Sequence, residues 1–224
     1  MAEIPALDDS AALWSAEPAD RSDRPLLVLL HGYGADERDL FALVPFLPPD
    51  FVVAAVRAPL TPPWPSPGYS WYPIEGLQGR DPTHTTDAAS LVIDWLDAVA
   101  PTTPVGLLGF SQGAAVALQA MRLRPERFAF AVNLSGYATP GELPGDSALA
   151  ERRPPVFWGR GTSDDVIPPP LVEHTVTWLP EHTDLSGRVY PGLTHSVSEP
   201  ELDDVRVFLE KRLADLAAEK PAEK

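Results

Sequence analysis

The chain has 224 residues, enough for one substantial domain with a sheet buried between two layers of helices. Seventeen Lys and Arg stand against 32 Asp and Glu, a formal charge of -15, which argues against nucleic acid and anionic lipid as partners. There is no cysteine, so disulfides, thiolate metal sites and a cysteine nucleophile are all excluded.

The opening MAEIPALDDS has acidic residues and no apolar centre, unlike a secretory signal. No window holds about 18 uninterrupted apolar residues, so no integral membrane association is expected, and the cytoplasm is the expected compartment. From Leu26 onward two signals alternate. Leu26–Leu30 predicts a buried strand, Glu37–Phe46 a helix and Phe51–Val56 a second strand. Ala58–His84 is too rich in proline and glycine for either and predicts a long ordered loop carrying Trp64, Tyr69, Trp71 and Tyr72. A helix follows at Thr86–Ala100, then a strand at Val105–Phe110, a helix at Gln112–Leu123 and a strand at Ala129–Leu134. Ala138–Arg153 and the Ala58–His84 loop are the only stretches available for a lid, and both are short. Val156–Gly159, Leu171–Leu179, Gly187–Tyr190 and Glu201–Ala217 continue the alternation as strand, helix, strand and helix. In the last helix Leu202, Val205, Phe208, Leu209, Leu213 and Leu216 share one stripe.

This order predicts an α/β protein with a mostly parallel, doubly wound sheet and helices on both faces. With no repeat and no linker, residues 1–218 read as a single domain and 219–224 as a flexible charged tail.

The segment VGLLGFSQGAAVALQAM, Val105–Met121, places Ser111 between two glycines where strand character gives way to helix character. GFSQG fits G-x-S-x-G, in which a strained strand-to-helix turn lifts the serine hydroxyl clear of the sheet. Gly109 and Gly113 supply room that a Cβ would take, and the free amides of the next helix, Gln112 first, can stabilise negative charge on a carbonyl oxygen. Without such a context, the same five residues would merely cap a helix.

A serine hydroxyl needs a general base, and the base an orienting carboxylate, in the chain order Ser, acid, His for this architecture. Three histidines follow Ser111. His174 lies in a helical stretch and His182 in the loop PEHTDLSG, whereas His195 lies between the last strand and the last helix, where a loop can swing its imidazole over the serine. After VFWGRG, TSDDVIP offers Asp164 and Asp165, and spacing alone does not choose between them. LLHGYG supplies the second amide, from Tyr33, with Gly32 and Gly34 letting the backbone approach a ligand. His31 is expected to shape this turn by hydrogen bonding. The G-x-G here is not a dinucleotide fingerprint, because the third glycine position holds Glu37.

With LLHGYG, the AP…GYSWYPI loop, GFSQGAAVAL, NLSGY, GTSDDVIP and GLTHSVSEPELDDVRVFL in order from about Leu26 to Leu213, the chain resembles the phospholipase/carboxylesterase family. That family of α/β-hydrolases includes acyl-protein thioesterases and small bacterial carboxylesterases. The resemblance implies an α/β-hydrolase fold with no large cap domain, Ser111 as nucleophile, His195 as base and Asp164 as the triad acid. It also implies the Tyr33 and Gln112 amides as oxyanion hole. Pro73 departs from it, standing where many members carry aspartate.

The function expected is serine carboxylesterase chemistry on esters of small to medium acyl chains, through an acyl-enzyme, with Trp64, Trp71 and Tyr72 walling an apolar groove. The partner is then a small-molecule ester, and a homodimer is compatible with it. The histidines lack metal-ligand spacing, so neither metal nor cofactor is expected. Acyl-protein thioesterase and lysophospholipase use the same machinery, and a small-molecule receptor on a hydrolase fold is the non-enzymatic alternative.

Overall fold

The computed structural model describes residues 4–22, 24–74, 82–100 and 103–219. Its strands are β1 (Leu13–Trp14), β2 (Leu26–Leu30), β3 (Val52–Val56), β4 (Val105–Phe110), β5 (Phe128–Leu134), β6 (Pro155–Gly161) and β7 (Asp184–Tyr190). The α-helices are α1 (Glu37–Phe41), α2 (Pro82–Val99), α3 (Gln112–Leu123), α4 (Asp146–Arg152), α5 (Pro169–His182) and α6 (Glu199–Glu219).

Both β2 and β3 are buried at all five positions. Consecutive side chains leave opposite faces of a strand, so Leu26, Val28 and Leu30 enter one core while Leu27 and Leu29 enter the other. A strand covered on both faces must be apolar at every step, and for that reason these runs read as continuous rather than alternating. The first core is closed by α2, α3, α4 and α5 through residues such as Val92, Val116, Leu149 and Trp178. The second is closed by α1 and α6 through Leu40, Val205, Phe208 and Leu209. Each such side chain, fully buried, contributes about 1.5–3 kcal/mol.

The seven strands form one sheet in the order β1-β3-β2-β4-β5-β6-β7, parallel except for β1, which pairs antiparallel with β3. The chain steps from β2 outward to β3, then crosses back to lay β4 on the other side of β2. Strand order therefore reverses between β2 and β4, and a crevice opens beyond their carboxyl ends. The loop holding Gly32 and Tyr33 and the turn holding Ser111 both emerge there.

The structure amends several boundaries. The first helix stops at Phe41, and Val44–Phe46 is a separate 3-10 turn carrying Pro45, which has no amide to continue an α-helix. The helix expected at Thr86–Ala100 starts earlier, at Pro82, so the end of the predicted loop is helical. Residues 75–81 of that loop, and the tail from 220, lie outside the described residues. The part of the loop from 58 to 74 is ordered by bridges Leu60↔Ser70 and Ala35↔Tyr69. Helix α4 occupies much of the stretch considered for a lid, and β1, only two residues long, was not among the predicted strands. His182 is the last residue of α5, not a loop residue: Thr183 caps that end, its amide and hydroxyl both donating to Leu179 O, despite Pro180. The His182 ring stacks on Trp178, with ring centres 4.1 Å apart. Among the described residues no helix is long and apolar enough to cross a membrane.

Candidate active site

Ser111 adopts φ 53° and ψ -113°, outside the regions open to ordinary residues, a conformation that costs on the order of 1–3 kcal/mol. Two close approaches hold it there. A Cβ on Gly109 would stand 2.4 Å from the Ala114 nitrogen, and one on Gly113 would stand 2.0 Å from the Leu30 carbonyl oxygen. The Ser111 amide donates to Leu134 O at 2.9 Å, and Ser111 O receives the Ala115 amide at 3.2 Å, starting α3. The turn is thus fixed by backbone on both sides. Gly113→Ala is expected to lower stability by about 3 kcal/mol, because the carbonyl it meets cannot move aside. Gly187→Ala, whose Cβ would meet nothing nearer than 3.9 Å, serves as the control in urea unfolding.

The hydroxyl makes no capping bond to α3, although Ser111 is its N-cap. It lies instead 2.8 Å from His195 Nε2, and His195 Nδ1 lies 2.8 Å from Asp164 Oδ2. With the proton on Nδ1 donated to the carboxylate, Nε2 presents its lone pair to the serine O–H. Asp164 has its other oxygen, Oδ1, occupied by the amides of Val166 at 3.0 Å and Ile167 at 3.3 Å, a turn that fixes the carboxylate plane. Asp165 is exposed, and of the two aspartates that spacing left open it is Asp164 that lies within hydrogen-bond distance of the imidazole. The Phe110 ring, 4.9 Å from the His195 ring, supports the imidazole from the strand side. Ser111 is buried at 8% exposure, and the His195 and Asp164 side chains are 15% and 8% exposed, so little of the series faces solvent.

The loop after β2 is held on the other side of the serine. A Cβ on Gly32 would be 3.6 Å from Ser111 Cβ. His31 Nδ1 donates to Gly32 O at 2.8 Å, and its Nε2 accepts from the Ala58 amide at 3.1 Å. Burial lowers the pKa of His31, which keeps the ring in the neutral form that this donor and acceptor pair requires. Gly34 N donates to Tyr69 O and Tyr69 N to Ala35 O, both at 2.8 Å, so the aromatic loop is stitched to the glycine turn. Neither the Tyr33 amide nor the Gln112 amide donates to a backbone carbonyl among the described residues.

The aromatic groove needs correction. Trp71 and Tyr72 have no exposed surface and belong to the first core, so they do not wall an open cleft. Trp71 Nε1 donates to His31 O at 2.8 Å, and the Tyr72 hydroxyl lies 2.6 Å from that of Tyr137. Trp64 is 92% exposed, at the tip of the proline loop. What the sequence did not suggest is the Gln112 side chain: its Oε1 accepts from Trp71 N at 2.9 Å and its Nε2 donates to Tyr72 O at 2.7 Å. Gln112 thereby clamps the aromatic loop to the helix that carries the serine. No spacing rule announces such a clamp, because the pairing joins residues far apart in the chain.

The model of the family described as Phospholipase/Carboxylesterase matches residues 14–213. An acyl-protein thioesterase 1 from Debaryomyces hansenii is 31% identical over 169 residues, 69% of this chain and 73% of that protein. For the acyl-protein thioesterase 1 of Saccharomyces cerevisiae the figures are 33% over 110 residues, 47% of this chain and 48% of the relative, so the chain spans about half the length of that protein. Among solved structures, esterase PE8 superposes with a TM-score of 0.74 at 27% identity, covering 93% of this chain and 100% of the other.

Proposed function

Because the chain belongs to the phospholipase/carboxylesterase family, with the α/β-hydrolase fold, we propose that it hydrolyses carboxylic esters through an acyl-enzyme on Ser111. The observation that carries this reading is the unbroken series Ser111 Oγ, His195 Nε2, His195 Nδ1 and Asp164 Oδ2, with 2.8 Å at each of its two hydrogen bonds.

Ser111 Oγ adds to the ester carbonyl carbon as its proton passes to His195 Nε2. Asp164 holds the imidazole in the required tautomer and balances the imidazolium. The carbonyl π electrons move onto oxygen, where the Tyr33 and Gln112 amides receive the charge, each worth about 3–4 kcal/mol in systems of this kind. Collapse of the tetrahedral species breaks the C–O bond to the alcohol, which leaves with the proton from His195. Water then adds to the acyl-enzyme by the same steps, and the carboxylic acid is released with Ser111 restored.

The names of the relatives favour a second reading, acyl-protein thioester hydrolysis, in which a thiol replaces the alcohol as leaving group. Turnover of p-nitrophenyl acetate and butyrate, with an acyl thioester assayed in parallel, tests both. Hydrolysis of at least one, together with covalent labelling of Ser111 by a fluorophosphonate located by peptide mapping, is expected. Inertness toward all three, in a protein that nevertheless binds such molecules, would replace the enzyme with a receptor.

A further inference from the structure

Ser198–Glu201, S-x-x-E at the start of α6, has the pattern of a capping box, and only half of the box is well formed. Ser198 Oγ accepts from the Glu201 amide at 3.4 Å, and Ser198 O accepts from the Leu202 amide at 3.0 Å. In a complete box the glutamate carboxylate would return to the amide of the capping serine. Glu201 turns inward instead. It has no exposed surface, and neither carboxyl oxygen makes a well-formed hydrogen bond among the described residues. Its Oε1 occupies the slot left by Gly159 on β6, 2.1 Å from where a Cβ on that glycine would be.

Burial pushes the Glu201 carboxyl up to about 7, a weak hydrogen bond from the Ser198 amide opposes the rise, and Asp204 adds to it. Asp204 stands one turn along α6, with Tyr190 at the end of β7 donating to it at 2.8 Å and Arg188 forming an ion pair with it at 3.6 Å. From β6 the facing position is Gly159, which brings no charge. A carboxylate without a donor is costly over that glycine, and the Ser198 amide is a donor already within its influence. Ser198 follows His195 by three residues and ends the loop that carries the imidazole.

We propose that Glu201 is a positioning residue for His195: once ionised, its carboxylate moves from the slot over Gly159 to the Ser198 amide, completes the capping box and fixes the imidazole-bearing loop. Protonated, it lies back over β6 and leaves the end of the loop held by one bond fewer. The idea rests on the reading of His195 as the base for Ser111. It makes activity depend on whether Glu201 is ionised.

The test is the pH dependence of the rate at which a fluorophosphonate labels Ser111, in the wild type, Glu201→Gln and Gly159→Ala. The logarithm of the wild-type rate is expected to carry an added step of about fivefold between pH about 8 and about 6, and the profile of Glu201→Gln, which has no carboxyl to protonate there, is expected to lack it. Glutamine can fill the same place in a capping box, its amide oxygen accepting from the Ser198 amide, so the two proteins are expected to label at similar rates at pH about 8 and to part as the pH falls. Gly159→Ala fills the slot and pushes the flexible end of Glu201 toward Ser198, so it should keep more of its rate than the wild type at pH about 6.

Thermal unfolding gives an independent readout. The folded carboxyl holds its proton to higher pH than the unfolded one, so its contribution to stability is full below the unfolded value of 4.5 and is lost as pH rises through about 7. The wild-type Tm should therefore drop between pH about 5 and about 8 by more than that of Glu201→Gln. Superimposable labelling profiles for wild type and Glu201→Gln would overturn the positioning role alone. A wild type that resists the probe at every pH, while its Tm still follows the Glu201 ionisation, would overturn the catalytic reading beneath it.

Discussion

Ser111→Ala is expected to lower kcat on p-nitrophenyl butyrate by a factor on the order of 10⁴–10⁶, with KM changed by less than about threefold. The hydroxyl oxygen is the atom that forms the acyl bond, so its loss removes the covalent route altogether. What survives is binding in the crevice and polarisation by the two amides, which assist direct attack by water. The fold should tolerate the change. Ser111 makes no capping bond to α3, its φ of 53° is imposed by Gly109, Gly113 and the Leu134 carbonyl, and alanine meets the same backbone cost. A Tm within a few degrees of wild type would separate lost chemistry from lost structure. If turnover persisted in the variant, the activity would belong to another group, and the 2.8 Å contact between Ser111 and His195 would be incidental.

Much of this site was legible in the sequence because its parts are local. The turn at Ser111 needs glycine on both sides within five residues, and a strand and a helix adjoin it directly, so β4 and α3 were bounded correctly to the residue. Likewise the five-residue apolar run at β2 could only be a strand covered on both faces. What was not legible depends on distant pairings. Trp71 and Tyr72 look like groove walls in a proline-rich loop, yet the backbone of both is clamped by Gln112, forty residues away, and they are packed into the core. The half-made box at Ser198 and Glu201 shows the same limit: its pattern is visible in sequence, but the inward turn of the carboxyl is set by a glycine on β6. His182 was misplaced for a local reason, since Pro180 suggests a helix end whereas the cap at Thr183 carries the helix past it.

The two neighbouring aspartates after β6 are expected to respond very differently to the same change. Asp164→Asn should reduce kcat by on the order of 10³–10⁴, and Asp165→Asn by less than about twofold. The asymmetry follows from what each oxygen of Asp164 does. Oδ1 accepts the Val166 and Ile167 amides and builds the turn, and an asparagine carbonyl can keep both bonds. The atom facing the imidazole would become an amide nitrogen, which donates. His195 Nδ1 must then accept, its proton moves to Nε2, and Nε2 points a hydrogen at Ser111 instead of a lone pair. The geometry is retained while the base is held in the wrong tautomer, so the loss falls on kcat with little change in KM or Tm. Asp165 is exposed on the same loop, and its amide form should leave the imidazole untouched. The reverse ranking, with Asp165→Asn the crippled variant, would mean that the loop rearranges in solution and that the carboxylate orienting His195 is the neighbouring one.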